Sequence, residues 1–350
     1  MVDTHRSGGR QWRVLVVGCG SIGRRHVANL LRLGQQQVLL MDHAATALER
    51  ASREFGLSGV GTLEEGLAWS PETVIVATPT ADHVQTALAA ARCGCHLFIE
   101  KPLADTLEGT DALIRLAQER QLITLIGCNM RFHPGPRLVR QALNDGTLGT
   151  PLGARLEVGS FLPSWRPGTD YHTSYSAQKD QGGGCLLDGI HELDIACWLF
   201  GFPQELFAMT REGNSLRIET EELAEVVLRY PSDLVVSVHV DYVQRWRQRR
   251  CEVIAQRGTV VWESRTGQVQ VMGTDERAPR PLDYPTDYES NQMYVEELRH
   301  FLRCLDGREQ PCADISWAAR VTRVVLAAKA SAQTREPVAL EWEPSVSVAR

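Results

Sequence analysis

The sequence has no long apolar run. No stretch approaches the ~18 consecutive apolar residues that a membrane-spanning helix needs. The first twelve residues, MVDTHRSGGRQW, are polar, contain glycine and lack the apolar centre of a secretory signal peptide. These two absences predict a cytoplasmic protein with no membrane partner.

The cysteines show no pairing pattern. The chain has nine of them, an odd number, and no CxxC pair. Cys93 and Cys95 form a single C-G-C, but a structural zinc site needs four ligands and no second pair completes it. We therefore predict free thiols in a reducing compartment and no metal site.

The sequence also lacks a long basic block. Lys and Arg number 37 against 43 Asp and Glu, which gives a net charge of −6. The densest basic run, QRWRQRR at 244–250, is explained by a solvated strand or turn, or by a small anion contact. This balance predicts no nucleic-acid partner. The composition, 43% apolar and 23% charged, is that of an ordinary globular protein, and a length of 350 residues predicts two domains.

What is present begins with a nucleotide-binding pattern. Val14–Val17 reads VLVV, a β-branched run typical of a strand buried on both faces. GCGSIG follows at 18–23, then a helix pattern that ends at Gly34 and a second apolar run, QVLLMD, that ends at Asp42. Strand, glycine turn, helix, strand and acid together are the context that the dinucleotide fingerprint requires. A glycine turn without a ligand is the alternative.

Each glycine of the turn has a different physical task. Gly18 permits the tight turn, Gly20 lets the backbone approach a pyrophosphate, and Gly23 allows the helix to pack closely on the strand. The helix N-terminus presents free N–H groups to the phosphates, and we assign Ser21 and Ile22 to the same contact.

The acid after the second strand indicates the cofactor. Asp42 lies 19 residues after Gly23, near the spacing of about 20 at which a carboxylate accepts hydrogen bonds from the ribose hydroxyls. A carboxylate there also repels a 2′-phosphate, so the sequence favours NAD over NADP. His43 keeps NADP open as a second cofactor, because a protonated imidazole can meet a phosphate.

Further strand and helix patterns alternate as far as residue 130. The strands are TVIVATPT at 73–80, HLFIEKPLA at 96–104 and LITLIGCNMRF at 122–132. Such alternation predicts a parallel sheet, in which ligands bind beyond the carboxyl ends of the strands. Predicted cofactor contacts near these ends are Thr78, Pro79, Thr80, His83, Glu100, Lys101 and Asn129.

Lys101 is the residue at these strand ends with chemistry of its own. It follows the strand LFIE, and Pro102 keeps it out of the helical backbone region. Its ammonium can donate a hydrogen bond to a substrate oxygen and stabilise developing alkoxide charge. A surface lysine in a turn is the alternative.

A second segment combines core-like and catalytic residues. GGGCLLDGIHELDIACWLFG, Gly182–Gly201, resembles a buried helix, yet it carries Asp188, His191 and Asp194 at intervals of three. Positions three apart share a helix face, and a carboxylate beside an imidazole fixes its tautomer and stabilises its charged form. That arrangement suits a general base near neutral pH. A buried histidine paired with an acid for structural reasons is the alternative.

The segment before those glycines, FLPSWRPGTDYHTSYSAQKDQ at 161–181, has no regular pattern. Loops of more than ~12 residues without secondary structure are usually functional or disordered. Aromatic side chains, here including His172 and Tyr175, stack on sugar rings, and arginine binds hydroxyls, carboxylates or phosphates. An ordered lid without ligand contacts is the alternative. Predicted substrate contacts are Trp165, Arg166, Tyr171 and Lys179 of this loop, together with Arg131, Asp188, His191 and Asp194.

Glycines and prolines at 133–153 indicate the crossing between two domains, 1–130 and 131–350. Beyond the crossing, runs such as AEVVLRY, LVVSVHVDYV and RCEVIAQ are separated in places by turns and predict an antiparallel meander. A long apolar pattern predicts a final helix over about 314–333.

Four motifs together resemble a known family. VVGCGSIGRRHV, VATPTADHV, FIEKPLA and GGGCLLDGIHELDIACWLFG occur in the order found in the Gfo/Idh/MocA oxidoreductases, and the resemblance is clear from Val14 to Gly201. It implies an α/β fold with an N-terminal Rossmann domain that binds NAD or NADP, and a C-terminal α+β domain with a large, mostly antiparallel sheet. One face of that sheet would cover the nicotinamide and substrate. The other would build a homodimer or homotetramer, and the last helix would pack back on the Rossmann domain.

The resemblance also implies roles for three residues. Lys101 would contact the substrate hydroxyl, His191 would act as the acid/base catalyst, and Asp188 would complete the catalytic set. Many relatives carry Asp-x-x-x-His where this chain has Asp-x-x-His. Either the helix start is one residue shorter here, or Asp188 does not play the usual partner role, and Asp194 is then the orienting acid or a substrate ligand.

These observations predict hydride transfer between a nicotinamide cofactor and a secondary alcohol or ketone of a sugar, nucleotide-sugar or cyclic polyol. The loop at 161–181 further resembles that of family members in bacterial surface-sugar pathways. A catalytically silent NAD(H)-binding regulatory protein of the same fold is the alternative. Metal-assisted chemistry by Asp188, His191 and His172 is a third hypothesis.

Overall fold

The computed structural model describes residues 10–212 and 215–342. The chain divides into two compact units. The first contains the residues up to His133, Asp180–Gly182 and Tyr288–Thr322. The second contains Pro134–Lys179, Gly183–Asp287 and the residues from Arg323 onwards.

The predicted second domain, 131–350, therefore differs in content from the second unit. Tyr288–Thr322 lies in the first unit because apolar side chains along it pack into the cores of that unit. The ring of Phe301 meets that of Phe98 edge-on, with the centroids 5.6 Å apart, and Ile315 belongs to the core on the other face of the first sheet. A division by sequence position alone does not reveal this return of the chain.

The helices are α1 (Ser21–Arg32), α2 (Ala45–Phe55), α3 (Leu63–Ala68), α4 (His83–Arg92), α5 (Thr110–Glu119), α6 (Pro134–Asn144), α7 (Cys185–Asp188), α8 (Ile190–Phe200), α9 (Gln292–Leu305) and α10 (Ile315–Thr334). The strands are β1 (Val14–Val17), β2 (Val38–Met41), β3 (Gly59–Val60), β4 (Thr73–Val76), β5 (His96–Ile99), β6 (Thr124–Ile126), β7 (Pro151–Gly159), β8 (Glu205–Glu212), β9 (Glu221–Arg229), β10 (Val235–Asp241), β11 (Gln248–Ala255), β12 (Gly258–Glu263), β13 (Gln268–Gly273), β14 (Arg280–Pro281) and β15 (Val338–Ala339). None of the described helices is long and apolar enough to cross a lipid bilayer.

The first unit is built on a six-stranded sheet in the order β3-β2-β1-β4-β5-β6. Every neighbouring pair is parallel, which confirms the predicted Rossmann sheet. All residues of β1 and β4 are buried, because each strand has one apolar core on either face. The elements α2, β3 and α3 were not predicted; β3 has only two residues and α3 only six.

The second unit is built on a nine-stranded sheet in the order β14-β13-β12-β11-β7-β10-β9-β8-β15. Its neighbours are antiparallel except β7 and β10, so the predicted mostly antiparallel sheet is confirmed. The segment interpreted as a plain crossing contains the helix α6. Pro134 and Pro136 lie in its first turn, where proline is tolerated because those N–H groups have no helical partner.

A histidine lies between two carboxylates on β10. His239 Nδ1 is 2.6 Å from Glu225 Oε1, and its Nε2 is 3.0 Å from Asp241 Oδ2. The hydrogen bond to Asp241 and the charge and hydrogen bond of Glu225 outweigh burial and raise the pKa of His239 to about 9. The imidazolium is therefore more stable in the folded protein than in the unfolded chain, where a histidine pKa is about 6.5.

The stability that His239 contributes to the folded protein should disappear at alkaline pH. A raised folded-state pKa adds stability that is fully present below about pH 6.5 and is lost as the pH rises towards about 9. The difference in unfolding free energy between wild type and His239→Gln should therefore shrink between those two pH values. Urea denaturation at pH 6, 7.5 and 9.5 measures it, and a difference that does not change with pH would contradict the assignment.

Candidate functional site

The glycine turn after β1 has the geometry that dinucleotide binding requires. Gly18 has φ +100°, and a Cβ there would lie 2.4 Å from the Ala77 carbonyl oxygen. A Cβ on Gly23 would lie 1.8 Å from the Gly18 carbonyl oxygen. At Gly20, by contrast, a Cβ would meet no heavy atom within 4 Å. The inner side of the turn is therefore tightly packed, and its outer side at the start of α1 is open to a phosphate.

Asp42 links the end of β2 to that turn. Its Oδ2 accepts a hydrogen bond from the Cys19 N–H at 2.7 Å, and its Oδ1 accepts one from the Ala44 N–H at 2.8 Å. The His43 side chain is 87% exposed, with Nδ1 3.9 Å from Asp42 Oδ1. Burial, with a further contribution from the Asp42 charge, raises the pKa of Cys19 to about 12, so this thiol stays protonated.

Lys101 follows β5 in a turn built on a buried pair of side chains, His26 and Glu100. His26 Nε2 of α1 lies 2.6 Å from Glu100 Oε1, and the Lys101 N–H donates to Glu100 Oε2 at 3.2 Å. Burial alone would raise the pKa of Glu100, but the hydrogen bond and charge of His26, with Lys101 and His83, lower it on balance. The peptide bond from Lys101 to Pro102 is cis.

His83 is buried behind the same turn. Its Nδ1 lies 2.8 Å from the Pro102 carbonyl oxygen, and its Nε2 lies 2.9 Å from the Thr78 carbonyl oxygen. Both ring nitrogens therefore face main-chain oxygens of the protein. This geometry favours a structural task for His83 over the direct cofactor contact predicted from the sequence.

Two other predicted residues of the first unit have different surroundings. Asn129 and Arg131 lie in a short 3₁₀ helix and are buried. The Arg131 guanidinium donates to the Cys312 carbonyl oxygen and stacks 4.5 Å from the centroid of the Trp317 ring. These contacts explain Arg131 without a substrate, and its predicted substrate contact remains untested.

The first of the three glycines at 182–184 packs against the turn after β4. Gly182 belongs to the first unit, and a Cβ there would lie 2.9 Å from Thr80 Cβ and 3.0 Å from Asp105 Cβ. Only glycine allows this approach to the predicted cofactor residue Thr80.

The sequence pattern predicted one continuous helix through Asp188 and His191, and this prediction is wrong. The structure has a single turn, α7, that ends at Asp188, and a second helix, α8, that begins at Ile190. Gly189 lies between them because a Cβ there would be 2.7 Å from both the Cys185 carbonyl oxygen and Val240 Cγ1. His191 and Asp194 thus share a helix, whereas Asp188 belongs to the turn before it.

Asp188 holds a cluster of hydroxyl groups. Its Oδ1 accepts a hydrogen bond from the Tyr175 hydroxyl at 2.6 Å. Its Oδ2 accepts bonds from the Ser176 hydroxyl at 2.6 Å and the Tyr242 hydroxyl at 2.7 Å. Burial, followed by the Asp188 charge, raises the pKa of both tyrosines well above 10, so both stay protonated donors. We call Asp188 and these three donors the hydroxyl cluster.

The loop at 161–181 packs on that cluster. The Trp165 ring meets the Tyr242 ring edge-on at 5.4 Å, and the Arg166 guanidinium lies 5.8 Å from the centroid of the Tyr175 ring. Tyr171 donates to the Leu216 carbonyl oxygen at 3.0 Å. Trp165, Arg166 and Lys179 are exposed.

Sequence reasoning missed Tyr242 and His26. Tyr242 follows an alternating strand and was interpreted as part of it, although an aromatic residue that carries a hydroxyl usually needs a hydrogen-bond partner when buried. His26 was included in a helix pattern. Its place three positions after Gly23, on the side of α1 that packs on the sheet, was the signal that could have identified it.

The hydroxyl cluster should contribute measurably to stability. Hydrogen bonds to charged groups contribute about 1.5–3 kcal/mol, so Tyr242→Phe should lower the unfolding free energy by about that amount. Tyr230 supplies the control, because its hydroxyl is buried and accepts or donates no hydrogen bond among the described residues. Tyr230→Phe should leave stability unchanged or slightly raised. Equal losses in the two variants, measured by chemical denaturation, would argue against the cluster.

Two regions of the chain match models of one oxidoreductase family. Residues 12–128 match the model of the oxidoreductase family with an NAD-binding Rossmann fold. Residues 137–261 match the model of the GFO/IDH/MocA C-terminal domain. The two matches together cover well over half of the chain.

Individual proteins agree with these matches. The chain is 26% identical over 336 residues to 1,5-anhydro-D-fructose reductase of Ensifer adhaerens, a match that covers 92% of this chain and 97% of that protein. Levoglucosan dehydrogenase, solved with NADH and levoglucosan, gives a TM-score of 0.86 at 19% identity over 95% of this chain and 100% of the other. The WlbA dehydrogenase of Bordetella pertussis was solved with NADH and UDP-GlcNAcA. It gives a TM-score of 0.80 at 21% identity, and the match covers 95% of this chain and 100% of the other.

Because the two solved structures are less than 25% identical to this chain, they establish only a similar fold. The family matches are matches of the sequence, and they establish the family. The chain belongs to the Gfo/Idh/MocA family and is an NAD-binding oxidoreductase of the sugar, polyol or nucleotide-sugar dehydrogenase type.

Proposed function

We propose that this enzyme transfers hydride between NAD and a secondary alcohol of a sugar or nucleotide-sugar. The observation that carries the proposal is the shared sheet edge in the first unit. The open glycine turn, Asp42 and Lys101 all follow the carboxyl ends of parallel strands. That edge is where ligands bind in open α/β sheets.

NAD, held by the glycine turn and Asp42, would supply the acceptor for the hydride that leaves the carbinol carbon. His191 takes the hydroxyl proton as general base, and the Lys101 ammonium donates a hydrogen bond to the oxygen and stabilises its developing negative charge. In the reverse direction His191 returns the proton to the oxygen of a ketone.

The hydrogen bonds of the hydroxyl cluster help to decide whether Asp188 or Asp194 assists His191. Asp188 accepts three hydroxyl hydrogen bonds and lies before the break at Gly189. Asp194 is buried in the same helix as His191, three positions further on, where side chains are neighbours. We assign the orienting role to Asp194 and a supporting role to Asp188.

Asp42 supports a preference for NAD over NADP. Its carboxylate is held at the glycine turn by the N–H groups of Cys19 and Ala44. From there it can accept hydrogen bonds from the ribose hydroxyls, and its charge opposes a 2′-phosphate.

The loop at 161–181 supports a sugar-containing substrate. Trp165 offers an exposed aromatic face, and Arg166 and Lys179 offer exposed cations. Levoglucosan and UDP-GlcNAcA, which the two solved structures contain, are a neutral sugar derivative and an acidic nucleotide-sugar. We propose the same two classes for this enzyme, with Trp165, Arg166, Tyr171 and Lys179 as substrate contacts.

A screen of sugars and nucleotide-sugars tests the proposal. The wild type should reduce NAD⁺ with at least one of them, more efficiently than NADP⁺, as followed by NADH absorbance. His191→Asn and Lys101→Met should each lower kcat by about 100-fold or more, because each removes a group that acts in the transition state. NADH binding, measured by fluorescence, should change far less.

Matched variants serve as controls for that screen. His96→Asn and Lys329→Met alter a histidine and a lysine outside the proposed site and should keep kcat within about twofold. A wild type that binds NADH but turns over no sugar would favour the regulatory alternative. Unchanged turnover in His191→Asn would exclude the assigned base.

The exposed face of the second sheet supports a further part of the proposal, a homodimer or homotetramer. Val235, Gly153, Ile254, Thr259 and Met272 are direct neighbours in register across five strands. The three apolar side chains of this uncharged row are 47%, 36% and 40% exposed, respectively. Exposed apolar patches on a sheet mark protein interaction sites, and we propose a second copy of this chain as the partner.

Light scattering coupled to size-exclusion chromatography tests that interface. The wild type should elute as a dimer or larger, and Ile254→Glu should shift the population towards monomer because it places a charge in the middle of the row. Gln36→Glu, an exposed position of the first unit, is the control and should not shift it. A monomeric wild type would refute the interface.

A further inference from the structure

The proposed role of Lys101 requires that its flexible side chain be held in one position. A lysine has four rotatable side-chain bonds, and fixing such a chain costs conformational entropy. A turn that moves would add to that cost. The contacts that hold the turn after β5 therefore bear directly on catalysis.

One such contact comes from the start of α4. His83 is 1% exposed, and its ring spans the turns that follow β4 and β5. The carbonyl oxygens of Thr78 and Pro102 lie 2.9 Å and 2.8 Å from its two nitrogens. Burial lowers the pKa of His83, so near pH 7 the ring is neutral and donates one hydrogen bond, to one of these two oxygens.

The other side of the turn is held by the His26–Glu100 pair. Glu100 accepts the hydrogen bond of the Lys101 N–H, and its own N–H donates to the Val76 carbonyl oxygen at 2.9 Å. Gly127 leaves room for the carboxylate, since a Cβ there would lie 3.0 Å from Glu100 Oε2. The residues on both sides of Lys101 are thus tied to buried imidazoles.

We propose that His83 is a positioning residue for Lys101: its Nδ1 donates to the Pro102 carbonyl oxygen, the shorter of its two contacts, and so fixes the residue that follows Lys101. The inference rests on the proposed function for the catalytic task of Lys101, but the placement of Lys101 is measurable without catalysis.

Two conservative variants test which of the two carbonyl contacts of His83 matters. The amide nitrogen of an asparagine occupies a position close to Nδ1 of histidine, and that of a glutamine a position close to Nε2. His83→Asn can therefore keep the bond to Pro102, next to Lys101, whereas the amide of His83→Gln can reach only the Thr78 carbonyl oxygen. If His83 only filled space, His83→Asn would not be expected to preserve the position of Lys101 better than His83→Gln.

The lysine content of the chain makes the readout specific. Lys101, Lys179 and Lys329 are its three lysines. Reductive methylation with ¹³C-formaldehyde labels their amines and keeps the positive charge, and single Lys→Arg variants assign the signals. In His83→Gln the Lys101 signal should shift, while those of Lys179 and Lys329 stay in place. In His83→Asn the Lys101 signal should remain closer to that of the wild type.

Turnover should follow the position of Lys101. With a sugar that the wild type oxidises, His83→Gln should lower kcat by about 10- to 100-fold, as a displacement of about 1 Å does. His83→Asn should lose less. In a Lys101→Met background the His83 variants should cause little further loss, because the effect acts through Lys101. His96→Gln, at the other end of β5, is the matched control.

The outcomes decide the inference separately from the proposed function. A folded His83→Gln protein with an unchanged Lys101 signal would overturn the inference, as would an equal kcat loss with and without Lys101. If His83→Gln does not fold, His83→Asn is compared with the wild type by the same two readouts. A wild type that oxidises no sugar would refute the proposed function, and the Lys101 signal would still decide the role of His83.

Discussion

The parallel pairing of the first sheet is the constraint on which the candidate site depends. Because β1, β2, β4 and β5 run in one direction, each strand delivers its following turn to the same edge. The glycine turn, Asp42, Thr78 and Lys101 are far apart in sequence and meet there only through this pairing. The buried β-branched strands are therefore part of the functional apparatus, since a change of register in one of them would displace a site residue.

Sequence patterns predicted most of the first unit because its elements are local and repeated. A buried apolar run, a glycine turn and an amphipathic helix each depend on neighbours within about 20 residues. The last helix was predicted to return to the first unit, but the return of α9 was missed, for the opposite reason. Phe301 pairs with Phe98 across two hundred residues of sequence, and no periodicity reports such a contact.

The candidate site was predictable in residue type and less so in geometry. The pattern identified Asp188, His191 and Asp194, yet it treated them as one helix. The break at Gly189 arises from packing against Val240, a residue of a distant strand. The donors to Asp188 also come from Tyr175, Ser176 and Tyr242, so its surroundings depend on tertiary structure. His83 shows the same limit, because its contacts with Thr78 and Pro102 exist only when two strands are aligned.

The hydroxyl cluster has a consequence for the order in which the second unit forms. Asp188 receives donors from the loop before it and from the residue after β10, 54 positions further along the chain. The loop cannot obtain its full set of contacts until β10 is in the sheet. The loop is therefore among the last parts of the second unit to reach its native contacts.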